Sequence, residues 1–255
     1  MWRIYHIHKN EMFLQVLKYM NSTLKSDNQS GHQWKYCNVT KKKAKSFDKA
    51  RAEGKYLINC VDGVVWALKM AGINTISWYG GNGKIVWLND HAKSDAKKNF
   101  DIISTGGKTV SWLEKNAKLC DGDILLGYQG FCHTNAYYGN GKSYDSGHAY
   151  ASPKSGEGAK IKKLIGSLSH KNDKVNYILR IKDRAHYRVQ AGAYSTKEEY
   201  EKQIAVLKQK KIPYTTVSED AMIKIQLGYF SGKTNAERCA ESAIKKGVKA
   251  FVKEM

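Results

Sequence analysis

Residues 54–72 read GKYLINCVDGVVWALKMAG. Val61, Val64, Val65, Leu68 and Met70 recur at helical spacing, and Gly72 is a stop signal. Cys60 therefore stands at the N-terminus of a helix. Such an end carries partial positive charge and unpaired backbone N–H groups, which stabilise a thiolate. The same N–H groups can polarise a carbonyl and hold its oxyanion. The bland fate of a cysteine is a small buried hydrophobe.

A nucleophilic thiol needs a base, and the base needs an orienting group. Downstream of Cys60, DILLGY (123–128), HTNAYYG (133–139), KSYDSG (142–147) and VNYILRIK (175–182) read as strands separated by Gly and Asn turns. His133 begins one of them, and Asp145 lies twelve residues on, across the turn YGNGK (138–142). A hairpin of that length brings the two side chains together on one sheet face. Cys132 then points to the opposite face, into the core. His148 is an alternative third residue.

Around this centre, helices are expected over Met12–Leu24, Ser46–Glu53 and Trp112–Leu119. Residues 25–45 are polar and Lys-rich, a loop and helix start. Residues 80–110 are rich in Gly, Asn and Lys, and residues 151–175 read as an exposed connection before the last strand. A helical half followed by a β half is an α+β domain. Trp66, Trp78, Trp87 and Trp112 are read as core or groove wall.

The C-terminal end contains a repeat. YRVQAGAYS (187–195) and IKIQLGYFS (223–231) align at an offset of 36. Each precedes a helical stretch, KEEYEKQIAVLKQKKI or TNAERCAESAIKKG, and each helix leads to a short β-like piece, PYTTV or VKAFVKE. Two βαβ units of this size fit a ferredoxin-like sandwich, with a boundary near residue 183.

Composition bounds what these parts can do. The 255 residues are 42% hydrophobic and 26% charged, suited to one large or two modest domains. Lys and Arg number 43 against 23 acids, a net charge of +20 that attracts polyanions: nucleic acid, anionic membrane or phosphate-rich wall polymers. No apolar run reaches the roughly 20 residues of a membrane span, so no membrane insertion is expected. The N-terminus lacks the apolar core of a signal peptide. The five cysteines (Cys37, Cys60, Cys120, Cys132, Cys239) form no CxxC pair, which fits synthesis in a reducing cytoplasm. There is no GxSxG and no HExxH. His6 and His8 have a pair spacing without a completing ligand, so no metal and no cofactor are expected.

The order of Cys on a helix, then GDILL, then HTNAYYGNGKSYD resembles the NlpC-type papain-like cell-wall peptidases and related phage endolysin amidases, over roughly residues 46–182. The resemblance implies a papain-like (NlpC/CHAP-type) domain over 1–182. It implies Cys60 as nucleophile, His133 as base and Asp145 as orienter, with Gly122-Asp123 as a structural turn. The family commonly reads Asp-Cys-Ser-Gly, where this chain reads Asn59-Cys60-Val61-Asp62-Gly63. The family's Asp and Ser, which help bind a stem-peptide amine, are absent here, and Asn59 and Asp62 are the candidate substrate-binding residues. Stem-peptide endopeptidase and N-acetylmuramoyl-L-alanine amidase both stay open. The repeat resembles the SPOR domain, a peptidoglycan-binding βαββαβ module, over 183–255. That resemblance implies glycan contacts from Gln190 and Gln226 on the open sheet face, with Tyr194 and Phe230 as core anchors.

The expectation is therefore a peptidoglycan hydrolase of endolysin type. It would be made in the host cytoplasm, reach the wall after holin- or lysis-dependent release, and partner peptidoglycan and anionic wall polymers. The alternative is a non-catalytic wall-binding protein with a degenerate peptidase fold. A nucleic-acid-binding sheet is the third possibility, and no RNP-type motif supports it.

Overall fold

The computed structural model describes residues 8–38, 42–73, 96–128, 131–147, 151–152, 158–219 and 221–255. The chain divides into two compact units, Met1–Arg184 and Ala185–Met255. His6, Trp78, Trp87 and His148 lie outside the described residues, as does the side chain of Cys132.

In the first unit, α1 (Lys9–Gln29) turns Phe13, Leu17, Met20 and Leu24 inward. It runs longer than the apolar stripe alone predicts. Its last turn is anchored by polar contacts: Asp27 accepts from the Trp34 indole at 3.0 Å and from Arg51 Nε at 3.0 Å. These contacts correct the reading of residues 25–45 as loop. Trp34, Tyr36, Cys37 and Ala44 are all buried, and Trp34 stacks on Phe47 at 4.9 Å between ring centroids.

The strand β1 (Lys35–Tyr36) pairs in parallel with β2 (Leu57–Ile58), setting Tyr36 beside Ile58. Between them α2 (Phe47–Ala52) starts at Ser46, whose side chain caps the Lys49 amide. Directly after β2 comes α3 (Cys60–Met70).

The main sheet is built from β3 (Phe100–Ser104), β4 (Ile124–Tyr128), β5 (Phe131–Gly139), β6 (Lys142–Tyr144), β9 (Ile165–Ser167) and β10 (Val175–Ile181). Its order is β3-β10-β4-β5-β6-β9, with every neighbouring pair antiparallel. The unbroken apolar run of β4 has a simple cause: both faces are covered. Ile124 and Leu126 pack with α1 and α3, while Leu125 packs with Val110 and Leu113 of α4 (Val110–Lys115). The β5–β6 hairpin turns through Asn140 and Gly141 at φ +48° and +67°, the left-handed pair that a tight hairpin turn requires.

Residues 151–175 are not the exposed connection the composition suggested. They contribute β7 (Ala151–Ser152), β8 (Lys160–Ile161) and β9, and bury Ala159, Ile161, Leu164 and Leu168. β8 pairs with β1 and β7 in a smaller sheet of order β2-β1-β8-β7. The apolar residues here are few and irregularly spaced among lysines and serines, so no periodicity marks them.

The second unit runs β11 (Tyr187–Tyr194), α5 (Lys197–Gln209), β12 (Thr215–Glu219), β13 (Met222–Phe230), α6 (Lys233–Lys245), β14 (Phe251–Glu254). The sheet order β12-β13-β11-β14 and the βαββαβ sequence make a ferredoxin-like sandwich. Gln190 stands opposite Gln226 in the register, so the axis relating the two repeats passes through that pair. The G-x-[YF] of each repeat has one physical origin. A Cβ on Gly192 would lie 2.4 Å from the Tyr194 hydroxyl, and one on Gly228 would lie 2.5 Å from the Phe230 ring. Each ring folds back over the glycine two residues before it.

Candidate active site

Asn59 caps α3, and its Oδ1 accepts from the Asp62 amide at 2.8 Å. Asp62 returns the bond, with its Oδ2 accepting from the Asn59 amide at 3.1 Å. Asp62 also pairs with Lys43, and both are buried. Burial, the largest influence, raises the Asp62 carboxyl above its usual value; Lys43 and the Asn59 amide pull it back. Asn59 and Asp62, read from sequence as substrate-side residues, are therefore both spent on the helix cap. The cap holds the first turn of α3 rigid. Cys60 is its first helical residue and is 6% exposed.

The helix start is fastened to the hairpin that carries His133. Ser146, just past β6, donates from Oγ to the Asn59 carbonyl at 2.7 Å. Continuing the Tyr144–Ala136 register by one residue sets Asp145 opposite Asn135, one diagonal from His133. His133 Nε2 donates to Asp145 Oδ2 at 2.8 Å. The Cys60 thiol is the imidazole's other polar neighbour, and its influence raises the His133 pKa. Cys60, His133 and Asp145 are thus brought together as one chain of contacts.

The electrostatics follow from burial. Desolvation is the largest influence on His133 and pushes it down. The Asp145 carboxylate and the hydrogen bonds to Asp145 and Cys60 outweigh it and lift the imidazole to about 10. Desolvation likewise works to raise Asp145, but His133 and the Gly147 amide, donating at 2.6 Å, hold its carboxyl below the usual range. Both shifts favour an ion pair, imidazolium against carboxylate.

Sequence reasoning missed the ring of groups behind Asp145. Ser169 Oγ donates to Asp145 Oδ2 at 3.1 Å and accepts from Asn135 Nδ2 at 3.0 Å. His170 packs against the His133 ring at 4.6 Å between centroids, and its Nε2 is 3.7 Å from Asp145 Oδ2. The loop between β9 and β10, read as exposed connection, supplies both residues. The available signal was the Ser-His-Lys-Asn-Asp stretch at 169–173, where His170 and Asp173 hydrogen-bond at 3.0 Å. A second missed residue is Tyr36. Burial and then the charge of Cys60 raise its hydroxyl's pKa, so the phenol lies within the thiol's field.

Other expected residues fall elsewhere. Trp66 is core at 1% exposure, whereas Trp112 is exposed, with Lys108 Nζ 4.9 Å from its ring centroid. Asp123 is structural: Arg180 donates to it at 2.9 and 2.6 Å, and the Cys120 amide at 2.8 Å. Among the described residues no helix is long and apolar enough to cross a membrane.

In the second unit Val189 and Ile225 face the helices, and Arg188, Gln190, Gln226, Tyr229, Phe251 and Lys253 alternate onto the other face. Gln190 corrects an expectation: it is buried, not open, and its Nε2 donates to the Gly192 carbonyl at 3.2 Å. A break in register on either side of Gln190 lets the side chain turn back on its own strand. Gln226 is half-buried. The exposed residues of this face include Tyr229 and Phe251, at 58% and 51%, and Lys253. Tyr229 stacks on His186 at 5.3 Å.

A family model of the SPOR domain matches residues 183–254. A comparison with curated proteins finds no match. Among solved structures, the peptidoglycan binding domain of the B. subtilis cell wall lytic enzyme CwlC is similar at 28% identity, over 30% of this chain and 96% of that one, with a TM-score of 0.27. Residues 183–254 are a SPOR domain.

Proposed function

We propose that this chain is a peptidoglycan hydrolase, with a papain-like thiol centre in the first unit and a SPOR domain that binds it to peptidoglycan. The observation that carries the reading is the chain of contacts from Cys60 at a helix N-terminus, through His133, to the buried Asp145. Cys60, its proton held on His133 as the imidazolium, attacks an amide carbonyl of the wall; His133 gives that proton to the leaving amine, and water, losing a proton to the neutral imidazole, then releases the acyl-enzyme and restores the centre. Asp145 fixes the tautomer and orientation of the imidazole. The backbone N–H groups at the start of α3 would hold the developing oxyanion. The bond is a stem-peptide or muramoyl-alanine amide.

A SPOR domain implies peptidoglycan binding, and tethering raises the local concentration of the scissile bond. The net charge of +20 favours anionic wall polymers as a second attraction. Such an enzyme would act at the wall after holin- or lysis-dependent release from the cytoplasm.

Burial of Cys60 and His133, at 6% and 1% exposure, favours a second reading: a wall-binding protein whose thiol centre is closed. Digestion of purified Gram-positive sacculi with wild type and Cys60→Ala, read by mass spectrometry, separates the two. The hydrolase reading expects fragments from wild type and none from Cys60→Ala, with equal sacculus binding by both. Equal release by both proteins would remove Cys60 from the mechanism. Binding without release by either would leave the wall-binding reading.

A further inference from the structure

The groups behind His133 include three residues of metal-ligating type. One ring nitrogen each of His133 and His170 and a carboxylate oxygen of Asp145 lie within 4.8 Å of one another. Asp145 Oδ2 is 2.8 Å from His133 Nε2 and 3.7 Å from His170 Nε2. Ligand atoms around a tetrahedral zinc ion stand about 3.5 Å apart, so the set needs only a small adjustment to close on a metal.

A second observation points the same way. His170 Nδ1 is hydrogen-bonded to Asp173 Oδ2 at 3.0 Å. A carboxylate on one ring nitrogen fixes the tautomer and presents the other nitrogen's lone pair, the arrangement that orients metal-bound histidines. The backbone of His170 is left-handed, φ +55°, so a strained residue holds the ring over Asp145. His170 also supplies the way in: its side chain is 18% exposed, against 2% for His133 and 0% for Asp145.

We propose that His133, Asp145 and His170 form an inhibitory site for a divalent transition metal, with zinc as the best fit to two imidazoles and a carboxylate. Zinc there takes three protein ligands and one water. It occupies the Nε2 that Asp145 otherwise holds, and a dication on the ring opposes protonation at Nδ1. His133 then cannot accept the Cys60 proton, and the centre is switched off until the metal leaves. The binding stands on geometry alone; the inhibition rests on the thiol reading proposed above.

The test separates the two. Zinc binding is measured by equilibrium dialysis on the full chain carrying Cys60→Ala, which removes both turnover and the nearest thiol. Adding His170→Gln is expected to weaken binding by about 10- to 100-fold, and adding Asp173→Asn to weaken it less. Circular dichroism confirms that each variant is folded. Equal binding with and without these changes would overturn the site, whatever the chain does to walls. In the wild type, micromolar zinc is expected to cut sacculus lysis at least about tenfold and a chelator to restore it, with the response blunted in His170→Gln. Lysis that requires zinc, or that a chelator abolishes, would overturn the inhibitory role. His170-dependent binding by a chain that lyses no wall would support the site and sink the hydrolase reading instead.

Discussion

The two units solve opposite problems with their polar groups. The first buries them: Cys60, His133, Asp145 and Ser169 come from four separate segments, and each holds the next in place. The second keeps its helix-free sheet face half open, with Tyr229 and Phe251 in solvent, and builds that face from one short pattern used twice. On the hydrolase reading, the thiol centre needs its groups fixed to a fraction of an ångström, and a packed, desolvated surround does that. A surface that grips a polymer needs area and rings, and tolerates looser positioning. The two units should therefore be fragile at different places.

Gly147 tests the first unit at its tightest point. A Cβ there would stand 2.7 Å from His133 Cε1 and 3.0 Å from Asp145 Oδ1. Gly147→Ala must push the imidazole off Asp145 or off the thiol. Sacculus lysis is expected to fall by about 10²–10⁴, the usual worth of a positioned base. The overpacking cost is about 1–3 kcal/mol, so the chain still folds. Retained wall binding with near-normal lysis would show that the centre is not held as tightly as the contacts imply.

The repeat offers the matching test. Gly228→Ala drives a Cβ into the Phe230 ring and should destabilise the second unit by about 1–3 kcal/mol. Sacculus binding is expected to fall, while cleavage of a small soluble muropeptide stays intact. Loss of both activities together would mean that the two units do not act separately. Tyr229→Ala removes an exposed ring without touching the core, and a drop in sacculus affinity of about tenfold is the scale of one contact residue at an interface.

The same contrast explains what could be read without the structure. The start of α3 and the β5–β6 hairpin are local features, with a capping pair and an Asn-Gly turn, and they appear where the sequence suggests. The repeat is legible for the same reason. Ser169 and His170 were not, because a left-handed loop residue beneath a buried carboxylate has no periodicity. Residues 25–45 and 151–175 looked polar because their buried residues are few and irregularly spaced among lysines and serines. Their burial depends on distant partners: Asn28 donates to the Ile161 carbonyl at 2.8 Å, and the Tyr36 amide to the Ala159 carbonyl at 2.8 Å. Gln190 was misplaced because strand alternation takes no account of a bulge.

The pH dependence of stability is the most diagnostic test of the buried pair. His133 is lifted from its usual 6.5 to about 10. Between those values the folded chain holds a proton that the unfolded chain has released, so stability falls as pH rises. The contribution is complete below 6.5 and gone above about 10. Asp145 acts with the opposite sign: its carboxyl is held below 3.8, so its contribution is present above that value and is lost as pH falls through the lowered one. His170 is pushed down, first by burial and then by His133, and it works against stability as pH drops below 6.5. Lysines and tyrosines across the surface also titrate in the upper range, so the informative quantity is a difference between two chains. Thermal melts of wild type and Asp145→Asn, taken from pH 6 to pH 10, should converge as pH rises. Asparagine keeps the volume at that position but cannot hold His133 protonated, so the mutant loses the alkaline slope. Parallel curves would mean that His133 is neutral in the folded chain, and the buried centre would then be a neutral imidazole beside a thiol rather than an ion pair.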